Sequence, residues 1–241
     1  MRKTKIICTL GPSTDNDEVL KGLMLSGMDV ARFNFSHGTH EEHLARLKKI
    51  EAFREELKIP VATLLDTKGP EIRIGVFKDG KPVRLTKGQT FILTSRDIVG
   101  DENQVSISYP NLIYDVEVDS TILIDDGLVE MTVTDITSTD IVCLVKNNGV
   151  ISDRKGVNVP GINLSMPFIS DKDRDDILFG ISCGFDFIAA SFVRTAEDVK
   201  EIRKILNKHK AHTKIIAKIE NIQGVQNIDS IIEASDGIMI A

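Results

Sequence analysis

The sequence predicts an α/β fold: a (β/α)8 TIM-type barrel that is incomplete, with about six strands, and that a small all-β domain interrupts after the third strand. Apolar segments rich in β-branched residues alternate with amphipathic helical segments at both ends of the chain, as expected for a parallel sheet. Between them, from about residue 71 to 164, short alternating strands are separated by Gly, Asp and Asn turns, and no convincing helix occurs.

The first part of the predicted barrel covers residues 1–69. Gly11-Pro12 ends its first strand and Gly27 ends its first helix, because Gly and Pro interrupt regular structure. The second helix is highly charged, with an apolar stripe made of Leu44, Leu47, Ile50 and Leu57. The predicted elements are a strand at 5–10, a helix at 15–26, a strand at 29–34, a helix at 40–58 and a continuously apolar strand at 61–66.

The all-β domain is predicted for residues 70–167, bracketed by Gly69-Pro70 and Met166-Pro167. Asp126-Gly127 and Asn148-Gly149 are dipeptides typical of hairpin turns. The spacing of the strands is that of a sandwich or a small barrel. The clearest strands are at 90–94, 104–108, 121–125, 130–134 and 140–145.

The alternation of strands and helices resumes over residues 168–241, the second part of the barrel. The predicted elements are a helix at 171–183, a strand at 187–191, a helix at 196–209, a strand at 214–219, a helix at 224–233 and a strand at 237–241. The acidic run at 171–176 suits the first turn of a helix, where the helix dipole favours negative charge. A final apolar strand leaves an exposed sheet edge, so we expect the barrel to be cut short at Ala241.

Composition excludes several classes of protein. The 241 residues are 41% hydrophobic and 27% charged, which is typical of a soluble globular protein. A net charge of -6 argues against a broad nucleic-acid surface. No apolar run is long enough to cross a bilayer or to serve as a signal peptide, so we expect no membrane association and a cytoplasmic location. The three cysteines are scattered in apolar segments, as expected for reduced thiols.

Polar side chains cluster where the predicted barrel strands end, which is the edge at which barrels carry their active sites. Oxygen donors beside an arginine and a lysine suit hard cations and phosphate oxygens. Lys218 and Glu220 stand two apart on a strand and share a face, and burying two unpaired charges is too costly. They must pair with each other, bind a ligand or face a polar barrel mouth. The strand-end residues are Arg32, Asn34, Ser36, Asp66, Thr67, Lys68, Ser191, Lys218 and Glu220.

Several of these residues, and two nearby histidines, also have an ordinary structural interpretation. Arg32 could form a plain salt bridge, and Asn34 and Ser36 could cap the following helix. His40 and His43 lie among charged residues, which favours a solvated helix face over a metal site.

Taken together, seven motifs resemble the successive signatures of the pyruvate kinase family, in order over the whole chain. They are CTLGPS at 8–13, ARFNFSHG at 31–38, LDTKGPEIR at 65–73, DDG at 125–127, KGVN at 155–158, ASFV at 190–193 and KIEN at 218–221. The resemblance implies a barrel A domain, a mobile inserted B domain acting as a lid, and a C-terminal domain that this chain lacks. It implies phosphoryl transfer from phosphoenolpyruvate to ADP, giving pyruvate and ATP in the last step of glycolysis, by a homotetrameric parent enzyme.

The resemblance also implies roles for individual residues. Arg32 would bind the phosphate of phosphoenolpyruvate, Lys218 would neutralise the phosphoryl group in transfer, and Glu220 would bind Mg²⁺ or Mn²⁺. Glu71 matches the acid that accompanies potassium dependence. Asp126 could face the active-site cleft when the B domain closes. The implied potassium ligands are Asn34, Ser36, Asp66 and Thr67, and the implied nucleotide-binding residues are Asn34, His37, Arg73 and Lys155.

Two other interpretations remain open. In the family, the second metal carboxylate belongs to an Arg-Gly-Asp segment that would come just after Ala241, so the chain as it stands could be a non-catalytic fragment that at most binds nucleotide. A different barrel enzyme acting on phosphoenolpyruvate or pyruvate, such as an aldolase-like lyase, would have no reason to need the β insertion or the segment 66–68.

Overall fold

A computed structural model describes residues 3–162 and 164–241 and divides them into two compact units. The first unit contains the described residues up to Pro70 and the segment Phe168–Ala241, and the second is Glu71–Pro167. Each unit has its own hydrophobic cluster, and the two clusters share no residue.

The first unit begins with two βα repeats and a third strand. Asn16 accepts hydrogen bonds from two backbone N–H groups at the start of the first helix, and Thr39 forms a capping box with Glu42 at the start of the second. A 3₁₀ turn at Pro12–Thr14 makes the first helix begin later than predicted. The elements are β1 (Ile7–Leu10), α1 (Asp17–Leu25), β2 (Val30–Asn34), α2 (His40–Leu57) and β3 (Ala62–Asp66).

The buried face of α2 differs from the predicted stripe. His43 and Phe53 are buried together with Leu47 and Ile50, whereas Leu44 and Leu57 are only half-buried. The expectation that His43 lies on a solvated face is therefore wrong.

The second unit is almost entirely β structure. Its main sheet has seven strands in the order β4-β12-β8-β9-β10-β6-β7, and a separate ribbon pairs β11 with β5. All neighbours are antiparallel except the parallel pair β6 and β7. The elements are β4 (Ile72–Arg73), β5 (Val83–Leu85), β6 (Thr90–Thr94), β7 (Gln104–Ser106), α3 (Leu112–Asp115), β8 (Thr121–Ile124), β9 (Val129–Ile136), β10 (Asp140–Val145), β11 (Gly149–Ile151) and β12 (Gly156–Asn158), with a 3₁₀ turn at Lys78–Gly80.

Two details of this unit depart from the sequence prediction. A one-turn helix, α3, occurs where no helix was expected. Asn148-Gly149 does not close a hairpin, because Gly149 opens β11, which pairs with β5 rather than with β10. Asp126-Gly127 does connect the antiparallel strands β8 and β9, with φ angles of 55° and 87° at the two residues.

The remaining segment returns to alternating helices and strands. The helix predicted at 224–233 is two helices that meet at Asn227, whose side-chain amide donates to the carbonyl oxygen of Arg194 at 3.0 Å. The elements are α4 (Asp171–Ser182), β13 (Phe187–Ala190), α5 (Ala196–Lys208), β14 (Lys214–Ile219), α6 (Ile222–Gln226), α7 (Ile228–Ala234) and β15 (Gly237–Ile240).

The barrel strands form one parallel sheet of six strands in the order β1-β2-β3-β13-β14-β15. Although the second unit separates β3 from β13 in sequence, the two strands are direct neighbours, with Asp66 opposite Ala189. The incomplete barrel with an insertion after its third strand is thereby confirmed. No helix in the described ranges is both long enough and apolar enough to span a membrane.

Candidate functional site

Parallel pairing brings the ends of β2, β3, β13 and β14 to the same edge of the sheet. Asn34 stands opposite Asp66, and Ala190 stands opposite Ala217, so the residues that follow each strand are neighbours. This edge holds the charged residues predicted from the sequence.

Asp66 is the centre of the site, with a relative exposure of 1%. Arg32 Nε donates to Asp66 Oδ2 at 2.6 Å, and Nη2 lies 2.6 Å from the same oxygen. Its Nη1 donates to Thr9 Oγ1 at 2.6 Å. A buried carboxylate is tolerated when cationic donors satisfy it, and the guanidinium does so here. Arg32 therefore forms the predicted salt bridge, while its side chain remains 25% exposed.

Lys218 reaches the same carboxylate from β14. Its Nζ lies 3.2 Å from Asp66 Oδ1, 2.9 Å from Ser191 Oγ and 3.3 Å from Glu220 Oε1. Lys218 and Glu220 thus pair with each other, one of the three outcomes that their spacing allowed. Two cations and two carboxylates balance the charge of this largely buried cluster.

Ser191 joins the strand ends and has a larger role than its place in the sequence indicated. It is 2% exposed, and its Oγ lies within hydrogen-bond distance of Asp66 Oδ1 and of the Thr67 carbonyl oxygen, at 3.0 and 2.6 Å. The next residue, Phe192, has a φ of 56°, which is strained for a bulky side chain, and its N–H donates to Glu220 Oε2 at 2.8 Å. Nothing in the local sequence signals this backbone conformation.

The implied potassium ligands lie near one another on two neighbouring strand ends. Phe35 N donates to the Asp66 carbonyl oxygen at 2.9 Å, which joins the segments after β2 and β3. Asn34 Oδ1 accepts from Ser36 N at 3.1 Å, so Asn34 and Ser36 order their own loop and the cap of α2 is Thr39 instead. Thr67 is 4% exposed, and its Oγ1 accepts from Ser191 N at 3.1 Å. A donor set made of oxygen atoms fits a hard monovalent cation.

The implied magnesium site has a smaller set of protein ligands. Glu220 is the carboxylate at the edge of the site: its Oε1 lies 3.3 Å from Lys218 Nζ, and its Oε2 accepts from Phe192 N. In residues 3–162 and 164–241, no group of three or more His, Cys, Asp or Glu side chains could hold a metal ion. Glu220 therefore fits a magnesium ion as one ligand among others, since magnesium is commonly held by one or two carboxylates together with substrate oxygens.

Arg73 and Lys155 belong to the second unit, where each pairs with an acid. Arg73 Nη2 lies 2.8 Å from Glu71 Oε2, and Lys155 Nζ lies 2.9 Å from Asp125 Oδ1. The hydrogen bond to Glu71 raises the pKa of Arg73, and the charge of Asp126 raises it further. Both cationic side chains are partly exposed and form charge-assisted pairs with these acids.

The three histidines of the loop after β2 and of α2 have different environments. His37 is exposed, and its carbonyl oxygen accepts from His43 Nε2 at 2.9 Å. His43 is 4% exposed and stacks on Phe35 with ring centroids 4.0 Å apart. Burial lowers the pKa of His43. His40 Nε2 lies 2.7 Å from Asp176 Oδ1.

The acidic start of α4 does more than complement a helix dipole. Asp173 and Asp176 are each 2% exposed. Asp173 Oδ1 accepts from the N–H of Gly69 at 3.1 Å, which fixes the segment after β3. Gly69 has a φ of 70°, and a Cβ there would lie 2.7 Å from the Ser191 carbonyl oxygen, so this position requires glycine.

Comparison with known proteins agrees with this architecture. The chain is 51% identical to pyruvate kinases of Bacillus licheniformis and Geobacillus stearothermophilus, covering 100% of this chain and 42% and 41% of theirs. A crystal structure of a pyruvate kinase from Cryptosporidium parvum matches with a TM-score of 0.90 and 45% identity, over 100% of this chain and 50% of that one. The chain thus spans about two fifths of the length of the two bacterial relatives.

The family model described as "Pyruvate kinase, barrel domain" matches residues 1–241. The resemblance drawn from the seven sequence motifs is confirmed. The chain belongs to the pyruvate kinase family and matches that family's barrel domain together with its β insertion.

Proposed function

We propose that this chain carries the phosphoenolpyruvate-binding part of a phosphotransferase that moves the phosphoryl group of phosphoenolpyruvate to ADP, giving pyruvate and ATP. The observation that supports this most directly is the pair of cations, Arg32 and Lys218, that meet on the buried Asp66 carboxylate at the carboxyl edge of the sheet. Family membership supplies the reaction, and the geometry supplies residues able to perform it.

Arg32 binds the phosphate of the substrate in this proposal. Its guanidinium is fixed by Asp66 and Thr9 yet remains partly exposed, so it is preorganised for an incoming phosphate. Lys218 stabilises the negative charge that spreads over the phosphoryl oxygens during transfer. The bond between phosphorus and the enol oxygen breaks, a bond to a terminal phosphate oxygen of ADP forms, and the enolate takes up a proton to become pyruvate.

The proposed cations are K⁺ and Mg²⁺, with Mn²⁺ as a substitute for Mg²⁺. Glu220 would hold the divalent ion, and the oxygens of Asn34, Ser36, Asp66 and Thr67 would hold potassium. When bound, both ions add positive charge around the phosphoryl group. The chain's own contribution is to hold these oxygens in place through Ser191 and the β2 and β3 strand ends.

Nucleotide phosphates are proposed to meet Asn34, His37, Arg73 and Lys155. Arg73 and Lys155 already bind carboxylates in the second unit, so they are groups that a phosphate could engage by exchange with Glu71 and Asp125. We also propose a cytoplasmic, homotetrameric parent enzyme, without nucleic-acid or membrane partners.

The test is pyruvate formation from phosphoenolpyruvate and ADP, with Mg²⁺ and K⁺, by the 241-residue chain. Turnover would support the proposal for this chain, whereas ADP binding without turnover would favour the non-catalytic fragment.

Arg32→Met should raise the KM for phosphoenolpyruvate about a hundredfold, since the charge-assisted bidentate contact between the guanidinium and the substrate phosphate is lost. The control, Arg174→Met, changes an exposed arginine of the same unit and should leave that KM unchanged. Equal KM values in the two variants would contradict the role of Arg32.

A further inference from the structure

Asp176 is a buried carboxylate that the proposed chemistry does not use. Its side chain, on the second turn of α4, is 3% exposed. Oδ1 lies 2.7 Å from His40 Nε2, and Oδ2 lies 2.6 Å from Lys172 Nζ. The two partners are far more exposed, at 38% for His40 and 50% for Lys172. A buried charge needs such partners, so Asp176 fixes where both side chains lie.

Lys172 also contacts the segment that follows β2. Its Nζ donates to the Phe35 carbonyl oxygen at 2.8 Å, while Phe35 N donates to the Asp66 carbonyl oxygen at 2.9 Å. The first residue after the strand is therefore held on one side by the neighbouring strand end and on the other by α4. Phe35 is 1% exposed, so without Lys172 its buried carbonyl oxygen would lose this hydrogen-bond donor.

Ring contacts hold the same segment at a second point. His40 stacks on Phe179 of α4 with ring centroids 4.2 Å apart, and its Nε2, at the ring edge, lies 2.7 Å from Asp176 Oδ1. The loop's own hydrogen bonds are longer: Ser36 N to Asn34 Oδ1 is 3.1 Å, and His37 N to the Asn34 carbonyl oxygen is 3.3 Å. Contacts from α4 therefore support this segment in addition to the hydrogen bond that His43 Nε2 donates to the His37 carbonyl oxygen.

We propose that Asp176 is a positioning residue: acting through Lys172 and His40, it fixes residues 35–39 and so places Ser36 and His37 at the site. This rests on the proposed function, in which Ser36 contributes to potassium binding and His37 to nucleotide binding. In this proposal Asp176 acts without touching either substrate. Its carboxylate sets the position of the lysine ammonium and of the imidazole, which in turn hold the loop at its two ends.

Amide hydrogen exchange tests the positioning without any need for activity. Asp176→Asn keeps the shape and removes the charge, and Asp175→Asn makes the same charge change at an exposed neighbour on the same helix. Exchange at residues 35–37 should accelerate about tenfold in Asp176→Asn and not in Asp175→Asn, since a hydrogen bond to a charged group is weakened. Unchanged exchange in this loop, or an equal acceleration throughout β14, would overturn the proposal.

Kinetics test the consequence for the reaction. Asp176→Asn and Lys172→Met should each raise the K⁺ concentration for half-maximal activity and the KM for ADP about tenfold, and the KM for phosphoenolpyruvate by less than about twofold. Lys172→Arg keeps a cationic donor and should restore most of the difference. A fall in kcat with both constants unchanged would contradict positioning. If the unmodified chain gives no turnover, the proposed function fails for this chain, and hydrogen exchange still decides the positioning.

Discussion

At the scale of single residues, three side chains satisfy the buried carboxylate of Asp66. Asp66 accepts from Arg32, Ser191 and Lys218, so each partner both stabilises the carboxylate and is oriented by it. A residue of this kind cannot be changed without moving its neighbours. Substitutions here should therefore affect stability and activity together, in proportions that differ from residue to residue.

Lys218→Met removes an ammonium while keeping an unbranched side chain. We expect turnover to fall by at least about a hundredfold, because the charge that stabilises the phosphoryl group is lost. The free energy of unfolding should fall by about 3 kcal/mol, because Asp66 and Glu220 lose a shared partner. Nucleotide binding should be nearly unchanged. Lys214→Met, at an exposed lysine of the same strand, is the control, and a Lys218 variant that keeps most of its kcat would show that the role is misassigned.

Gly69→Ala tests the close approach of two strand ends. The new Cβ would lie 2.7 Å from the Ser191 carbonyl oxygen, and φ at this position is 70°. Gly184 has the same left-handed backbone, with a φ of 71°, but nothing within 4 Å of the corresponding Cβ. In urea unfolding we expect about 1 kcal/mol of destabilisation for Gly184→Ala and about 3 kcal/mol for Gly69→Ala. Equal losses would mean that the contact with Ser191 relaxes without cost.

At the scale of elements, the order and direction of the barrel strands followed from the sequence because apolar β-branched segments alternate with amphipathic ones. The ends of helices were less predictable. The break at Asn227 depends on a hydrogen bond to the Arg194 carbonyl oxygen, a tertiary contact that leaves no local pattern. His43 has charged neighbours in the sequence, yet it is buried against Phe35. The strand-end residues were predictable from their position, whereas the central place of Ser191 required knowledge of which strands are neighbours.

The burial of His43 predicts a pH dependence of stability. Its Nε2–H donates to the His37 carbonyl oxygen, and Nδ1 has no hydrogen-bond partner among the described residues, so protonation would place an unpaired charge in the interior. The pKa of His43 is lowered in the folded protein, so the unfolded chain takes up the proton first as pH falls. The stabilisation is complete above about pH 6.5, the ordinary histidine value, and is lost as pH falls toward the folded pKa.

Urea unfolding between pH 7 and pH 5 measures this effect. The free energy of unfolding should fall toward acid pH with a contribution from His43 of at most about 1.4 kcal/mol per pH unit. His43→Gln keeps an N–H donor and has no titrating ring, so the slope should become shallower. His212→Gln changes an exposed histidine and serves as the control. Identical slopes in the original chain and in His43→Gln would show that burial of this ring does not govern the dependence.

At the scale of the whole molecule, the two units have separate hydrophobic clusters, which predicts separate unfolding transitions. The chain itself supplies a reporter for each. Both of its tyrosines, Tyr109 and Tyr114, lie in the second unit and the sequence has no tryptophan, so tyrosine fluorescence follows that unit. Circular dichroism at the helical band follows mainly the first unit, because the second has one short helix among its described elements.

Two matched substitutions separate the transitions. Phe91→Ala removes a ring that is 0% exposed in the second unit, and Phe33→Ala removes one that is 1% exposed in the first. Each should cost its own unit about 3–5 kcal/mol through the cavity that it leaves. We expect Phe91→Ala to lower the urea midpoint of tyrosine fluorescence and to leave that of circular dichroism in place, with the reverse for Phe33→Ala. Midpoints that shift together in both variants would show one cooperative transition, because a cavity in either cluster would then destabilise the whole chain.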